Sequence, residues 1–227
     1  MCTRFFFYTR IIDDHQLEVR FNVEGFKYKL ILPRYNIAPT QTIGAITETP
    51  EGRQLVGMRW GLVPSWAKDA SIGNKMLNAR AETVAEKPSF RKSFQRKRCL
   101  IPATGFYEWV PEGKAKTPMC IMLKSEEIFA FAGLWDVWRQ PDKTELASCT
   151  IITCEPNEFM KPIHNRMPVI LTREAEEMWL DPDVTEPEKL LPLVKPCRSD
   201  ILKAYRVSKL VNNPRLDVKE CIEPLKE

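Results

Sequence analysis

Eighteen prolines are spread along this chain, from Pro33 to Pro224, and they leave little room for long helices. Each removes a backbone donor and fixes φ, so a helix accepts it only in the first turn and a sheet only at an edge or end. Many short strands and turns are therefore predicted in place of a helical bundle. With 44% hydrophobic residues among 227, the chain can bury a sizeable core in one domain or two close-packed subdomains.

The aromatic run at 3–8 reads as a buried first strand, and DDHQLEVRF as a short helix with Leu17 and Phe21 inward. PRYNIAPTQ reads as a Pro-bounded loop before a strand over TIGAITE, and RQLVGMRWGLVPSW as a strand running into a Trp- and Pro-rich loop. SIGNKMLNARAETVAEKPSF reads as a loop entering a basic helix. Four further strands are predicted at RCLIPATGFYEWV, PMCIMLK, IFAFAGLWDVW and ASCTIITC, with turn-formers such as PEGKAKTP and RQPDKTE between most of them. Thr172 is placed to cap TREAEEMWL, and the polar tail after Pro182 holds one more strand candidate, AYRVS. The fold class expected is α+β over residues 1–227: a mixed, largely antiparallel β-sheet closing towards a barrel, with short peripheral helices.

No stretch approaches the roughly 20 apolar residues of a membrane span, and FFFY is too short for a signal-peptide core. The compartment expected is the cytoplasm, without a membrane partner. Seven cysteines form no CxxC pair, and the only histidines are His15 and His164, so neither a metal nor another cofactor is expected. Cys99, Cys120, Cys149 and Cys154 lie in apolar runs and read as buried, reduced thiols. Cys2 differs, having the chain terminus and Arg4 as neighbours.

Charge is unevenly placed. Residues 51–100 hold 11 Lys and Arg against 4 Asp and Glu, a local +7 in a chain of net +4. In EKPSFRKSFQRKRC, Lys87, Arg91, Lys92, Arg96, Lys97 and Arg98 surround Phe90 and Phe94, which anchor one face of a short helix. Such a helix reads either as a solvated surface element or as a patch facing a polyanion.

Four polar positions stand in apolar or aromatic surroundings: Cys2, Asn78 in MLNARAE, Glu108 in GFYEWV and His164 in KPIHNRMPVIL. A buried Glu108 would have a raised pKa suited to acid–base work, whereas on an edge strand it would simply face water. A lone histidine is ordinarily a hydrogen-bonded structural residue, but His164 lies in a loop entering a strand, where it could reach a cleft. Asn78 and Arg80, two apart, would share a side in extended geometry. Cys2 becomes informative if Met1 is removed, because its α-amine and thiol then stand on adjacent atoms.

In order, MCTRF, RYNIAPTQ, MRWGLVPSWAKD, NARAET, PATGFYEW and IHNRMPVIL resemble the SOS-response-associated peptidase (SRAP) family, the abasic-site processing proteins, from residue 1 to about Trp179. The resemblance implies a mechanism: the Cys2 amine condenses with the aldehyde of a ring-opened abasic sugar, and the thiol closes a thiazolidine that joins protein to DNA. It implies that Asn78 orients the amine, Glu108 moves protons, and His164 helps open the sugar and reverse the crosslink. Arg4, Asn36, Pro39, Trp66, Arg80, Thr153 and Arg166 would line the DNA-binding surface. The implied partners are single-stranded DNA containing abasic sites and replication-fork proteins, with the chain monomeric and nucleoid-associated when bound to DNA. Self-removal of Met1 accounts for the word peptidase. Thr3 stands where the family usually has Gly and Asn165 where it usually has Asp; crowding beside the nucleophile and a lost negative charge beside the imidazole would slow crosslinking. Two other readings share these residues: a thiol peptidase or amidohydrolase with an N-terminal nucleophile, and a non-enzymatic single-stranded nucleic-acid-binding module.

Overall fold

The computed structural model describes residues 2–8, 15–113, 115–140 and 142–225. In chain order its elements begin with β1 (Phe5–Phe7), α1 (His15–Phe21), β2 (Val23–Phe26), β3 (Arg34–Ile37), β4 (Thr42–Thr49) and β5 (Gly52–Trp60). Then come β6 (Asn78–Arg80), α2 (Arg91–Arg96), β7 (Arg98–Ala103), β8 (Gly105–Glu112) and β9 (Ala115–Leu123). The remainder is β10 (Phe129–Arg139), β11 (Glu145–Cys154), β12 (Met167–Pro168), α3 (Arg173–Leu180) and β13 (Leu202–Arg206), with short helical turns on either side of β13.

Strands β5, β4, β7, β10 and β11 pair in that order, each antiparallel to the next. β11 then returns to β5 in parallel, with Ser148 opposite Arg59 and Cys149 opposite Trp60. Five strands thus close into a barrel with no open edge among them. β2 runs along the first half of β5, while β6 and β12 pair with the end of β11. A second, antiparallel sheet has the order β13–β9–β8–β1–β3. The mixed, largely antiparallel sheet closing to a barrel is as expected, and no helix among the described residues is long and apolar enough to cross a membrane.

The aromatic first strand joins the two cores. Phe5 and Phe7 enter the main core and Phe6 the smaller one with Tyr107, so both faces are buried and the usual alternation of polar and apolar residues is absent. Phe5 meets Trp60 at 5.3 Å and Phe131 at 5.8 Å, both edge-on. A slip of one residue would exchange the two sets of rings, so register is strongly fixed, and with it the position of Cys2 three residues upstream.

α1 forms as read over its described part, with Leu17 and Phe21 buried; Asp13 and Asp14 lie outside the described residues. Thr172 caps α3, its hydroxyl accepting from the Ala175 N–H at 3.3 Å. The four cysteines read as buried are buried and unpaired. Other readings need correction. RCLIPATGFYEWV is two strands, because Thr104 interrupts it: its Oγ1 donates to the Tyr8 carbonyl at 2.8 Å and accepts from the Tyr8 N–H at 3.2 Å. β7 then joins the barrel and β8 the second sheet. PRYNIAPTQ holds strand β3, whose Asn36 N–H donates to Asp217 at 3.0 Å, a partner too remote in sequence for local propensity to register.

Arg98 does not belong to the exposed basic set. It is buried, and its guanidinium donates to Phe94 and Gln95 carbonyls (3.2 and 2.5 Å) and to Trp179 and Asp181 carbonyls (2.5 and 2.6 Å). One cation therefore satisfies the carboxyl ends of both α2 and α3, and burial pushes its pKa down to about 10.

Candidate active site

Each of the four singled-out residues is delivered by a different element. The chain end before β1 brings Cys2, β6 brings Asn78, β8 brings Glu108, and the loop between β11 and β12 brings His164. Cys2 is fully buried, with its thiol 3.7 Å from the Arg4 carbonyl. Asn78 Nδ2 donates to the Cys2 carbonyl at 2.9 Å; since a carbonyl can only accept, this fixes which end of the amide is which. Asn78 Oδ1 is buried without a hydrogen-bond partner. Residue 1 lies outside the described residues.

Glu108 is 3% exposed, and its Oε2 lies 3.8 Å from His164 Nε2. Burial lifts the Glu108 carboxyl to about 7, against the pull of Lys116. Burial also holds His164 below its usual value, and the cations Lys116 and Arg166 act in the same sense. An ion pair would have shifted both groups the other way, so desolvation outweighs their mutual attraction here. His164 Nδ1 lies 3.0 Å from the Arg166 backbone N–H and 3.2 Å from the Arg166 carbonyl; accepting from the first puts the neutral ring's proton on Nε2, the nitrogen nearer Glu108, and donating to the second puts it on Nδ1. Burial, and secondarily Glu108, pushes the Cys2 thiol well above the usual cysteine range, so it is no standing thiolate.

Of the four, Glu108 and His164 line a cleft of about 430 Å³, together with Thr3, Arg4, Trp109, Lys116 and Asn212, while Cys2 and Asn78 lie outside its lining. A larger one, about 700 Å³, lies beside α1 around Tyr8, His15, Arg20 and Arg173 and holds none of the four.

The residues expected to line DNA fall into two groups. Trp66 is 56% exposed, Arg80 is exposed and Pro39 half-buried. Asn36 is fully buried, its Nδ2 donating to the carbonyls of Asn213 at 2.9 Å and Leu216 at 2.7 Å, while Arg4 Nη1 donates to the Val211 carbonyl at 2.7 Å. Thr153 is also buried; its carbonyl accepts from Arg166 Nη2 at 2.6 Å, and the same guanidinium makes a two-point pair with Glu82 at 2.8 and 3.0 Å. Arg4 and Asn36 thereby fasten the C-terminal segment, and Thr153 holds Arg166.

The motif MRWGLVPSW has a backbone reason. Gly61 has φ +127°, and a Cβ there would come within 2.6 Å of the Gly73 carbonyl oxygen, so only glycine permits the close approach that launches the loop carrying Trp66. Sequence reasoning missed Lys116, Trp109, Asn212 and Glu82. Lys116 lines the cleft from β9, opposite Pro111 and three pairs along the hairpin from Glu108 opposite Met119, a register only the fold reveals.

The sequence matches the family described as SOS response associated peptidase (SRAP) over residues 1–214. The chain belongs to this family. Among SRAP relatives, the abasic site processing protein YoqW of Bacillus subtilis is 49% identical over 228 residues, covering 98% of this chain and 99% of that protein. The abasic site processing protein HMCES of Xenopus tropicalis is 35% identical over 193 residues, or 75% of this chain and 57% of that protein. A crystal structure of a Bacteroides thetaiotaomicron protein has the same fold, with a TM-score of 0.86 and 29% identity over 98% of this chain and 100% of the other. The SRAP match extends past Trp179, where the sequence motifs end, into the segment that Asn36 and Arg4 fasten.

Proposed function

We propose that this protein processes abasic sites in DNA by capturing them covalently through Cys2. Once residue 1 is gone, the Cys2 nitrogen is a free amine beside a thiol. The amine adds to the aldehyde carbon of the opened sugar, and protonated Glu108 gives its proton to the departing hydroxyl, releasing water and leaving an iminium. The thiol then adds to the same carbon and its proton passes to the Glu108 carboxylate. One N–C and one S–C bond form, one water leaves, and Glu108 ends as it began. A carboxyl near 7 serves both halves at neutral pH, and a thiol held protonated implies that the amine attacks first.

The observation that carries this reading is Asn78. Its Nδ2 holds the Cys2 carbonyl and its Oδ1 is buried and unpartnered, which suits it to accept from the Cys2 amine and aim the nitrogen lone pair. In the tautomer whose Nδ1 accepts from the Arg166 N–H, His164 offers Nε2–H to the sugar ring oxygen, favouring the open aldehyde. Arg80, Arg166, Trp66 and Pro39 would meet the strand directly, and Arg4, Asn36 and Thr153 would act through the groups they hold. Single-stranded DNA is the substrate form proposed, by a monomer in the cytoplasm. The test is incubation with an abasic oligonucleotide and a denaturing gel. A shifted band that disappears in Cys2→Ser is expected; equal yield from undamaged DNA would refute the proposal. Hydrolysis of peptides without DNA stimulation would favour the peptidase reading instead.

A further inference from the structure

The proposed chemistry does not account for the basic helix α2. Its buried side is settled: Phe94 packs edge-on against Trp179 at 5.8 Å, and Phe90 and Ser93 are also buried. The outer side carries Arg91, Lys92 and Arg96, with Lys87 just before the helix, all exposed, and among the described residues no carboxylate pairs with any of them. Lys97 differs, being held by Asp136 at 2.6 Å.

Lys92 and Arg96 are four apart on one face, where like charges are unfavourable in themselves. They line a cleft of about 350 Å³ together with Trp66, Pro88 and Ser89, and the paired Lys97 and Asp136 also border it. The loop carrying Trp66 is fixed on both sides of it. The Ser65 N–H donates to Asp136 at 2.7 Å, and the Trp138 indole donates to the Ala67 carbonyl at 2.6 Å. An exposed indole sharing a cleft with two cations that no described carboxylate pairs is the chemistry of a single nucleic-acid strand: a flat ring for a base, positive charge for the phosphates beside it.

Register gives the distance along β11 from this cleft to Arg80, another residue proposed to meet the strand. Asp136 lies opposite Ser148 on β11, whereas Arg80 lies opposite Thr153 on the same strand. Five positions along a strand span about 17 Å at ~3.3 Å per residue, a separation that a few nucleotides can bridge. We infer that the groove between Trp66 and α2 holds the strand flanking the lesion, with Lys92 and Arg96 contacting its phosphates. This rests on the proposed reading of the site and extends its footprint beyond the captured sugar.

The experiment is equilibrium binding of an undamaged, fluorescently labelled single-stranded oligonucleotide across a salt series. For the double variant Lys92→Gln/Arg96→Gln, the slope of log affinity against log salt should become shallower by about 1.4, two phosphate contacts at ~0.7 each. Trp66→Ala should lower affinity roughly tenfold while keeping the slope. An unchanged slope in the double variant overturns the groove. A loss seen with duplex but not with single strand overturns the assigned occupant. Wild-type protein on abasic DNA, run alongside, separates the two claims: covalent capture with an unchanged slope sinks only the groove, and salt-dependent binding without capture sinks only the chemistry.

Discussion

Replacing Glu108 with Gln should make stability less sensitive to pH, in a direction and size the structure specifies. The carboxyl is held at about 7 in the fold against an ordinary 4.5, with burial as the cause. Between those values the folded protein keeps a proton that the unfolded chain has released, so raising the pH through this window costs stability. At about 1.36 kcal/mol for each tenfold change in proton affinity, the full penalty is roughly 3–4 kcal/mol and is complete above about pH 8. Glu108→Gln keeps the shape and removes the titration. His164 titrates nearby with the opposite sense, its depressed pKa making stability rise with pH through the ordinary histidine range. The carboxylate 3.8 Å away is absent from the variant, so His164 is held lower still there and adds to the difference in the same sense. The assay is urea unfolding of wild type and variant from about pH 5 to about pH 8. The variant should gain about 2–3 kcal/mol relative to wild type across that range, while its capture of abasic DNA slows. A difference curve that is flat with pH would refute the assignment of Glu108 as a buried acid.

Three further outcomes follow from particular contacts. Asn36→Ala removes the donor shared by the Asn213 and Leu216 carbonyls and the Oδ1 that accepts from Arg4 at 3.2 Å, so it should cost about 2–4 kcal/mol in thermal or urea unfolding, since buried partners are left unsatisfied. Glu82→Gln releases Arg166 from its carboxylate; affinity for undamaged single strands should rise several-fold with a steeper salt dependence, measured by fluorescence anisotropy. Asn78→Ala should leave that affinity within about twofold while lowering the capture rate at least tenfold in single-turnover gels, because positioning of the Cys2 nitrogen is lost and phosphate contacts are not.

The parts of this molecule legible in its sequence were those set by local rules or by motif order. Thr172 announces α3 because a cap needs only neighbours, and Leu17 and Phe21 mark the inner face of α1 by spacing alone. The four positions proposed for the chemistry stand out because each is polar within apolar or aromatic surroundings. What stayed hidden depends on contacts between distant segments. β3 looks like a loop until Asp217 is seen against it. Arg98 looks like one cation among six until the carbonyls at the ends of α2 and α3 converge on it. Lys116 sits in a turn-rich hairpin with no local mark of function, and only strand register brings it to the cleft.

The most direct measurement is intact mass spectrometry of the purified protein before and after mixing with an abasic oligonucleotide. Covalent capture through the second residue requires a starting mass lacking Met1 and a product equal to protein plus oligonucleotide less one water. A chain that retains Met1 yet still forms the adduct, or one that lacks it and forms none, would contradict the account.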